Sequence, residues 1–301
     1  MNNNMKKWIL FYSFLLVGIS ISAQTEMETK LIEVKGVFYA LSPIKGGTFT
    51  MGADKNAQDD IGKYNYKKRM NNEEPARQVT LSDFWMGQTE VTRALWQAVM
   101  GKERDRSYNT SSMMLPVHNV TWKEAKEFCE KLGKIIGEHV RLPTEAEWEY
   151  VYRGGSVERD FNGGNKGWLD GKLHGVAQKD PNVWLIYDML GNVFEWCEDR
   201  IQNKYHPKSP VTNPVDYRID DVMFGAVDNW GRVVRGSCYS TPIVPYADYL
   251  RSCYRWSKSP DNYERTIGFR IVIPSKEMEK KMTVYRTTQK QKKRGNPAVN
   301  Y

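Results

Sequence analysis

Apolar and polar positions alternate over Ile32-Glu33-Val34-Lys35 and an apolar run follows from Val37 to Leu41, so residues 32–41 read as a strand. A second alternating stretch, from Ile44 through the Gly46-Gly47 pair to Gly52, reads as a hairpin that turns into a further strand, and residues 76–81 read as a shorter one. Residues 53–74 are polar, charged and rich in Asn and Asp, the composition of a surface loop. The period then changes. From Thr92, apolar Ala94, Leu95, Ala98 and Val99 keep helical spacing until Gly101 closes the run. Thr121 with Glu124 forms a capping box, Trp122, Ala125, Phe128 and Leu132 mark one apolar face, and Gly133 is expected to end that helix. Thr144 caps a third helix with Glu147 at its third position, and the early acids Glu145, Glu147 and Glu149 complement the helix dipole. A capped helix start accounts for these carboxylates without catalysis.

Beyond Gly154-Gly155 the chain reads as loop as far as Trp184, and its glycines lack the Lys-Ser/Thr of a phosphate loop. Alternation returns over residues 232–239, 249–256 and 267–273, predicting three short strands. Each carries arginine on its pattern. An arginine inside a strand costs desolvation unless it is paired, so Arg235, Arg251, Arg255 and Arg270 are expected to meet carboxylates or carbonyls.

Composition changes the picture at the two ends. Lys6 and Lys7 precede an apolar run over residues 8–21, and Ile21-Ser22-Ala23 resembles a cleavage site, so residues 1–23 read as a secretory signal too short to span a bilayer. No other segment is long and apolar enough to span one, so the expectation is a soluble periplasmic or secreted protein that does not cross the membrane after signal cleavage. No cysteine follows the cleavage site to take a lipid. Of the formal charge of +8, Lys6 and Lys7 supply two, and residues 276–301 supply six from eight Lys/Arg against two Glu; the body between is neutral. A neutral body argues against nucleic acid as a partner. The basic segment 275–301 reads as a solvated, disordered tail.

Ten Trp and seventeen Tyr in 301 residues suggest a loop-rich fold pinned by aromatic anchors. The four cysteines, Cys129, Cys197, Cys238 and Cys253, allow three pairings in an oxidising compartment and show no zinc spacing. The four histidines stand singly, which leaves a multi-histidine iron or zinc centre unsupported.

The stretch Tyr187-Asp188-Met189-Leu190-Gly191-Asn192-Val193-Phe194-Glu195-Trp196 carries the most distinctive chemistry. Asp188 and Glu195 flank a tight turn whose Gly191 and Asn192 suit positive φ. It reads either as a turn with its acids in water or as a half-cage of carboxylates and carbonyls for a hard cation such as calcium.

Taken together, Gly46-Gly47-Thr48-Phe49-Thr50-Met51-Gly52, Thr89-Glu90-Val91-Thr92, Pro116 to Trp122, Arg141-Leu142-Pro143-Thr144-Glu145-Ala146-Glu147-Trp148-Glu149-Tyr150, Asp188 to Trp196, Arg235-Gly236 and Ile267-Gly268-Phe269-Arg270 resemble the sulfatase-modifying-factor domain, the fold of formylglycine-generating enzymes. The resemblance covers about residues 34–274. It implies a single α+β domain with a C-type-lectin-like core and little regular secondary structure. It also implies calcium at Asp188, Gly191, Val193 and Glu195, while the family's second calcium site has no clear counterpart. The enzymes of this family oxidise a sulfatase cysteine to formylglycine with oxygen and copper(I) held between two thiolates. Those two positions fall here near Thr241 or Pro242 and near Tyr246 or Ala247, and Phe194 replaces the usual Trp. Cys238 and Cys253 flank a turn between two expected strands, within reach of a structural disulfide or, on an oxidase reading, of a displaced copper pair. The reading adopted is a calcium-stabilised binding or scaffold protein without the oxidase chemistry, similar to relatives in bacterial gliding and secretion machinery. Its partner would be an envelope component, or a sulfatase if the oxidase reading held.

Overall fold

The computed structural model describes residues 29–53, 73–101, 112–155, 167–201, 210–215, 231–241 and 250–276. The signal segment, the basic tail, most of the loop at 53–74 and residues 242–249 lie outside them. The first sheet is built from β1 (Lys30–Val34), β2 (Val37–Ile44), β5 (Phe84–Gly87) and β11 (Val272–Pro274) in the order β1-β2-β5-β11, all neighbours antiparallel. Strand β3 (Thr48–Met51) pairs with β4 (Arg77–Thr80), which pairs in parallel with β7 (Val211–Thr212). The remaining sheet runs β10-β6-β8-β9, from Ile267–Gly268, Phe194–Arg200, Arg232–Arg235 and Trp256–Lys258. Three helices, α1 (Arg93–Met100), α2 (Trp122–Ile136) and α3 (Glu145–Tyr152), complete the described elements. Mixed sheets with few helices make this an α+β fold, as the sequence predicts.

The expected single strand at 32–41 is a hairpin. Lys35 and Gly36 take φ of 50° and 79°, and Val34 faces Val37 across a two-residue turn. The expected hairpin at 44–52 is absent, since β3 leaves β2 and pairs with β4, the strand expected at 76–81.

Helix α1 starts and stops where the pattern places it, capped by the Thr92 side chain and by left-handed Gly101. Helix α2 has the expected capping box but runs past Gly133 to Ile136 and is closed by Gly137 at φ 71°. Gly133 serves packing instead of termination, because a Cβ there would sit 2.7 Å from the Glu138 carbonyl oxygen. In an open helix interior Gly→Ala stabilises by up to about 1 kcal/mol. Gly133→Ala is expected to reverse that sign and cost about 1–3 kcal/mol by overpacking, as read by urea denaturation.

Of the three strands expected near the C-terminus, the second is displaced. Tyr254 donates its N–H to the Arg251 carbonyl at 3.0 Å, so the chain turns there, and pairing begins only at Trp256. Residues 267–273 are divided between β10 and β11, so this short segment joins two sheets. Two apolar clusters fill the interior. In one, Phe128 of α2 stacks near Trp96 and meets Phe269 edge-on. The other gathers Phe49, Trp148, Tyr150 and Tyr152 under residues 186–190. Among the described residues no helix is long and apolar enough to cross a membrane.

Candidate functional site

The turn before β6 lies between the two clusters, and its shape follows from its sequence. Asp188, Gly191 and Asn192 have φ of 55°, 81° and 53°. Gly191 is compulsory: a Cβ would lie 2.1 Å from the Trp168 carbonyl oxygen. Trp168 clamps the turn by donating to the Leu190 carbonyl and accepting from the Asn192 N–H, at 3.1 and 3.0 Å. The Ser237 hydroxyl accepts the Gly191 N–H at 2.9 Å, and the Asn192 side-chain oxygen accepts the His174 N–H at 3.1 Å. Neither acid of the turn faces water, which removes that reading: Asp188 and Glu195 are buried.

Glu195 is held from two sides. Arg270 grips it with two bonds of 2.7 Å, and the Trp148 indole donates to Oε2 at 2.9 Å. The other N–H groups of Arg270 go to the carbonyls of Gly87, Gln88 and Tyr187, so all five of its donors are engaged. Asp188 Oδ2 accepts the Ala177 N–H at 2.7 Å, while its Oδ1 has no hydrogen-bond partner. The Trp168 indole N–H comes near enough to favour the charged form of Asp188 without reaching hydrogen-bond geometry. Burial nevertheless pushes Asp188 above the usual carboxylate range, against the Ala177 N–H and Arg270. Asp188 also lines a cavity of about 20 Å³, shared with Tyr152, Asp180, Asn182 and Ile186, with room for one water or small ion.

Close to this pair stands Glu90, which sequence reasoning did not assign a role. It is fully buried, and neither carboxylate oxygen has a hydrogen-bond partner. Burial, then the charge on Asp188, pushes Glu90 well above the ordinary range; Arg270 pulls the other way. The signal was present in Thr89-Glu90-Val91-Thr92, an acid set among residues that are otherwise core or cap.

As a fit for a hard cation the donor set is suitable. Asp188 Oδ1 is unpartnered, Glu195 Oε1 accepts only one of the two hydrogen bonds it can take, and Gly191 and Val193 place carbonyls in the same turn. No group of three or more His, Cys, Asp or Glu side chains suited to a metal occurs among the described residues. A calcium cage that draws half its protein ligands from carbonyls is not of that kind.

The cysteines depart from expectation. All four are free and buried. Cys238 Sγ lies 3.2 Å from the Ser240 hydroxyl and 3.4 Å from that of Thr241. Cys253 Sγ instead accepts from Arg251 at 3.1 Å and donates to Glu73 at 3.6 Å. The expected disulfide is absent. Its premise fails because residues 250–255 turn instead of forming a strand beside β8. Thr241, one of the positions matched to the family's copper ligands, accepts the Cys238 N–H at 3.0 Å; Pro242, Tyr246 and Ala247 lie outside the described residues.

The paired arginines follow the sequence reading. Arg255 holds Glu145 at 2.6 and 2.7 Å, Arg251 grips Glu73, and Arg235 bonds Glu149 and the carbonyls of Ser252 and Tyr254. Glu147 closes its capping box and pairs with Arg141 at 2.7 Å. The acids of the third helix are therefore structural ion-pair partners.

Residues 39–275 match the family model of the sulfatase-modifying factor enzyme 1-like domain. The chain belongs to this family. Among its relatives, the formylglycine-generating enzyme of Streptomyces coelicolor is 31% identical over 60% of this chain and 58% of its own length. The inactive Cα-formylglycine-generating enzyme 2 of Bos taurus is 28% identical over 60% of this chain and 56% of its own. The serine/threonine-protein kinase Pkn1 of Chlamydia trachomatis is 25% identical over 83% of this chain, which spans only 41% of the kinase. In structure the sulfatase-modifying-factor fold here resembles Treponema denticola variable protein 1, with a TM-score of 0.63 over 82% of this chain and 99% of that one at 25% identity.

Proposed function

We propose that this sulfatase-modifying-factor protein is a non-catalytic, extracytoplasmic binding or scaffold member whose fold is stabilised by calcium at Asp188, Gly191, Val193 and Glu195. The observation that carries the reading is the state of the two sulfurs. Copper(I) needs paired soft thiolates, whereas Cys238 lies beside the Ser240 hydroxyl, Cys253 accepts from Arg251 and donates to Glu73, and the Thr241 hydroxyl accepts a backbone N–H. A bovine relative that is itself described as inactive supports the same direction. Its partner would be an envelope protein, since loops carried on a rigid scaffold are the usual place for recognition.

The test combines metal analysis, thiol counting and an assay on the purified mature chain. Calcium, four titratable thiols and no consumption of a sulfatase-peptide thiol under copper(I) and oxygen are expected. Peptide turnover that disappears in Cys253→Ser would overturn the reading in favour of an oxidase.

A further inference from the structure

We infer that strand β1 is a dimerisation edge, to which a second copy of this chain adds its own β1 antiparallel, joining the two four-stranded first sheets into one. Among the described residues β1 pairs on one side alone, with β2, whereas the opposite margin of the same sheet is occupied. There Arg141 and Val272 of β11 exchange backbone bonds of 3.0 and 2.8 Å. An open margin is a template for another chain, and natural edges are usually guarded by proline, a bulge or a free lysine. β1 has none of these guards. Its register with β2 is unbroken from Lys30 to Val34, it contains no proline, and Lys30 is held by Glu138 at 2.5 Å.

The turn decides which backbone groups face outward. Lys35 and Gly36, at φ 50° and 79°, form a two-residue hairpin turn, and the pair flanking such a turn is hydrogen-bonded, so Val34, Ile32 and Lys30 direct their N–H and C=O groups to β2. Leu31 and Glu33 direct theirs outward. Their side chains share an exposed face with Phe38 of β2: Leu31 is 60% exposed and Phe38 61%. Farther along that face Ser42 and Ile44 are buried, so the hairpin projects beyond the second apolar cluster.

Charge and register favour a second copy as the occupant. Residues directly opposite in a sheet share a face, which excludes a shift of one residue. With the twofold axis at Ile32, all five residues of β1 are paired, and Leu31 exchanges backbone bonds with the partner's Glu33. Like charges do not meet in this register, because Lys30 faces the partner's Val34. A shift of two residues toward the turn would set Glu33 against the partner's Glu33, and the opposite shift would leave Glu33 and Val34 beyond the end of the partner strand. The chosen register also brings Leu31 within about 7–8 Å of the partner's Leu31 on the diagonal, the relation Leu31 already has with Phe38. An apolar zigzag then crosses the join. Two such short strands make a small interface, so the dimer is expected to be reversible.

Sedimentation velocity of the purified mature chain, from low micromolar to submillimolar concentration, tests this. Wild type is expected to pass from the mass of one chain to that of two as concentration rises. Leu31→Glu sets an acid opposite the partner's Glu33 and is expected to weaken association about tenfold. Adding Glu33→Lys to that variant places opposite charges there and is expected to restore wild-type association. Glu33→Pro removes an outward N–H without taking a bond from β2, and is expected to remain monomeric with a native far-UV spectrum, which keeps the test decisive should Leu31→Glu not fold. A wild type that keeps the mass of one chain throughout overturns the inference. So does association that both single variants leave unchanged, or a double variant as weak as Leu31→Glu.

Discussion

Glu149→Gln is expected to destabilise the protein by about 3–5 kcal/mol, the range for removing one partner of a buried ion pair. Glu149 is fully buried between two arginines: Oε1 accepts from Arg153 at 2.5 Å and from the Gly52 N–H at 2.8 Å, and Oε2 accepts from Arg235. Glutamine preserves the shape but leaves both guanidiniums with less negative charge than they need. Chemical denaturation at neutral pH reads the loss. The pH dependence supplies a second signature. Burial alone would raise the Glu149 carboxyl, but Arg153 and Arg235 hold it below the ordinary range. A folded value below the unfolded one means stability that is present above about pH 4.3 and is lost as pH falls through the folded value. That share of the acid limb should be missing in Glu149→Gln. An unchanged midpoint and acid limb would show that the network tolerates the loss.

Gly191→Ala is the second large effect. The residue sits at φ 81°, and the added methyl would meet the Trp168 carbonyl oxygen at 2.1 Å, with other Trp168 backbone atoms at 2.6 Å. Left-handed backbone costs an alanine roughly 1–2 kcal/mol, and overpacking adds about 1–3 kcal/mol. The obstacle is backbone, so no side-chain rotation relieves it. A total near 4 kcal/mol is expected in calcium-free protein, together with loss of calcium binding, because the displaced turn carries Asp188 and Glu195 apart. Native-like melting and undiminished calcium uptake in this variant would refute the geometry proposed for the turn.

What the sequence disclosed was mostly what is local. The Thr121/Glu124 and Thr144/Glu147 boxes were legible because both partners lie three residues apart, and both are present. Gly191 and Asn192 announced positive φ by their residue types alone. Local signals also misled. Gly133 looked like a helix stop because its real reason, the nearby Glu138 carbonyl, depends on how the chain folds back after the helix. Lys35-Gly36 was passed over as part of one strand, since strand-forming residues lie on both sides of the turn.

Long-range pairing was legible in kind and opaque in detail. Burial chemistry required partners for Arg251 and Arg270, but nothing in the spacing says that Arg251 meets Glu73, 178 positions away, or that Arg270 takes Glu195. The same distance hid Glu90, which is buried with no hydrogen-bond partner on either carboxylate oxygen.

Residues 267–273 have a consequence for the order in which the molecule is made. Val272 and its successors close the sheet begun by the first strands, and Ile267 pairs beside Phe194 in another. Synthesis delivers this stretch after every other described strand, so a nascent chain still holding it in the ribosomal tunnel has two unfinished sheet edges and lacks the Arg270 clamp on Glu195. Such topology, rich in contacts between distant parts of the chain, folds slowly. Both edges are therefore completed only once this last stretch of the described strands has been released.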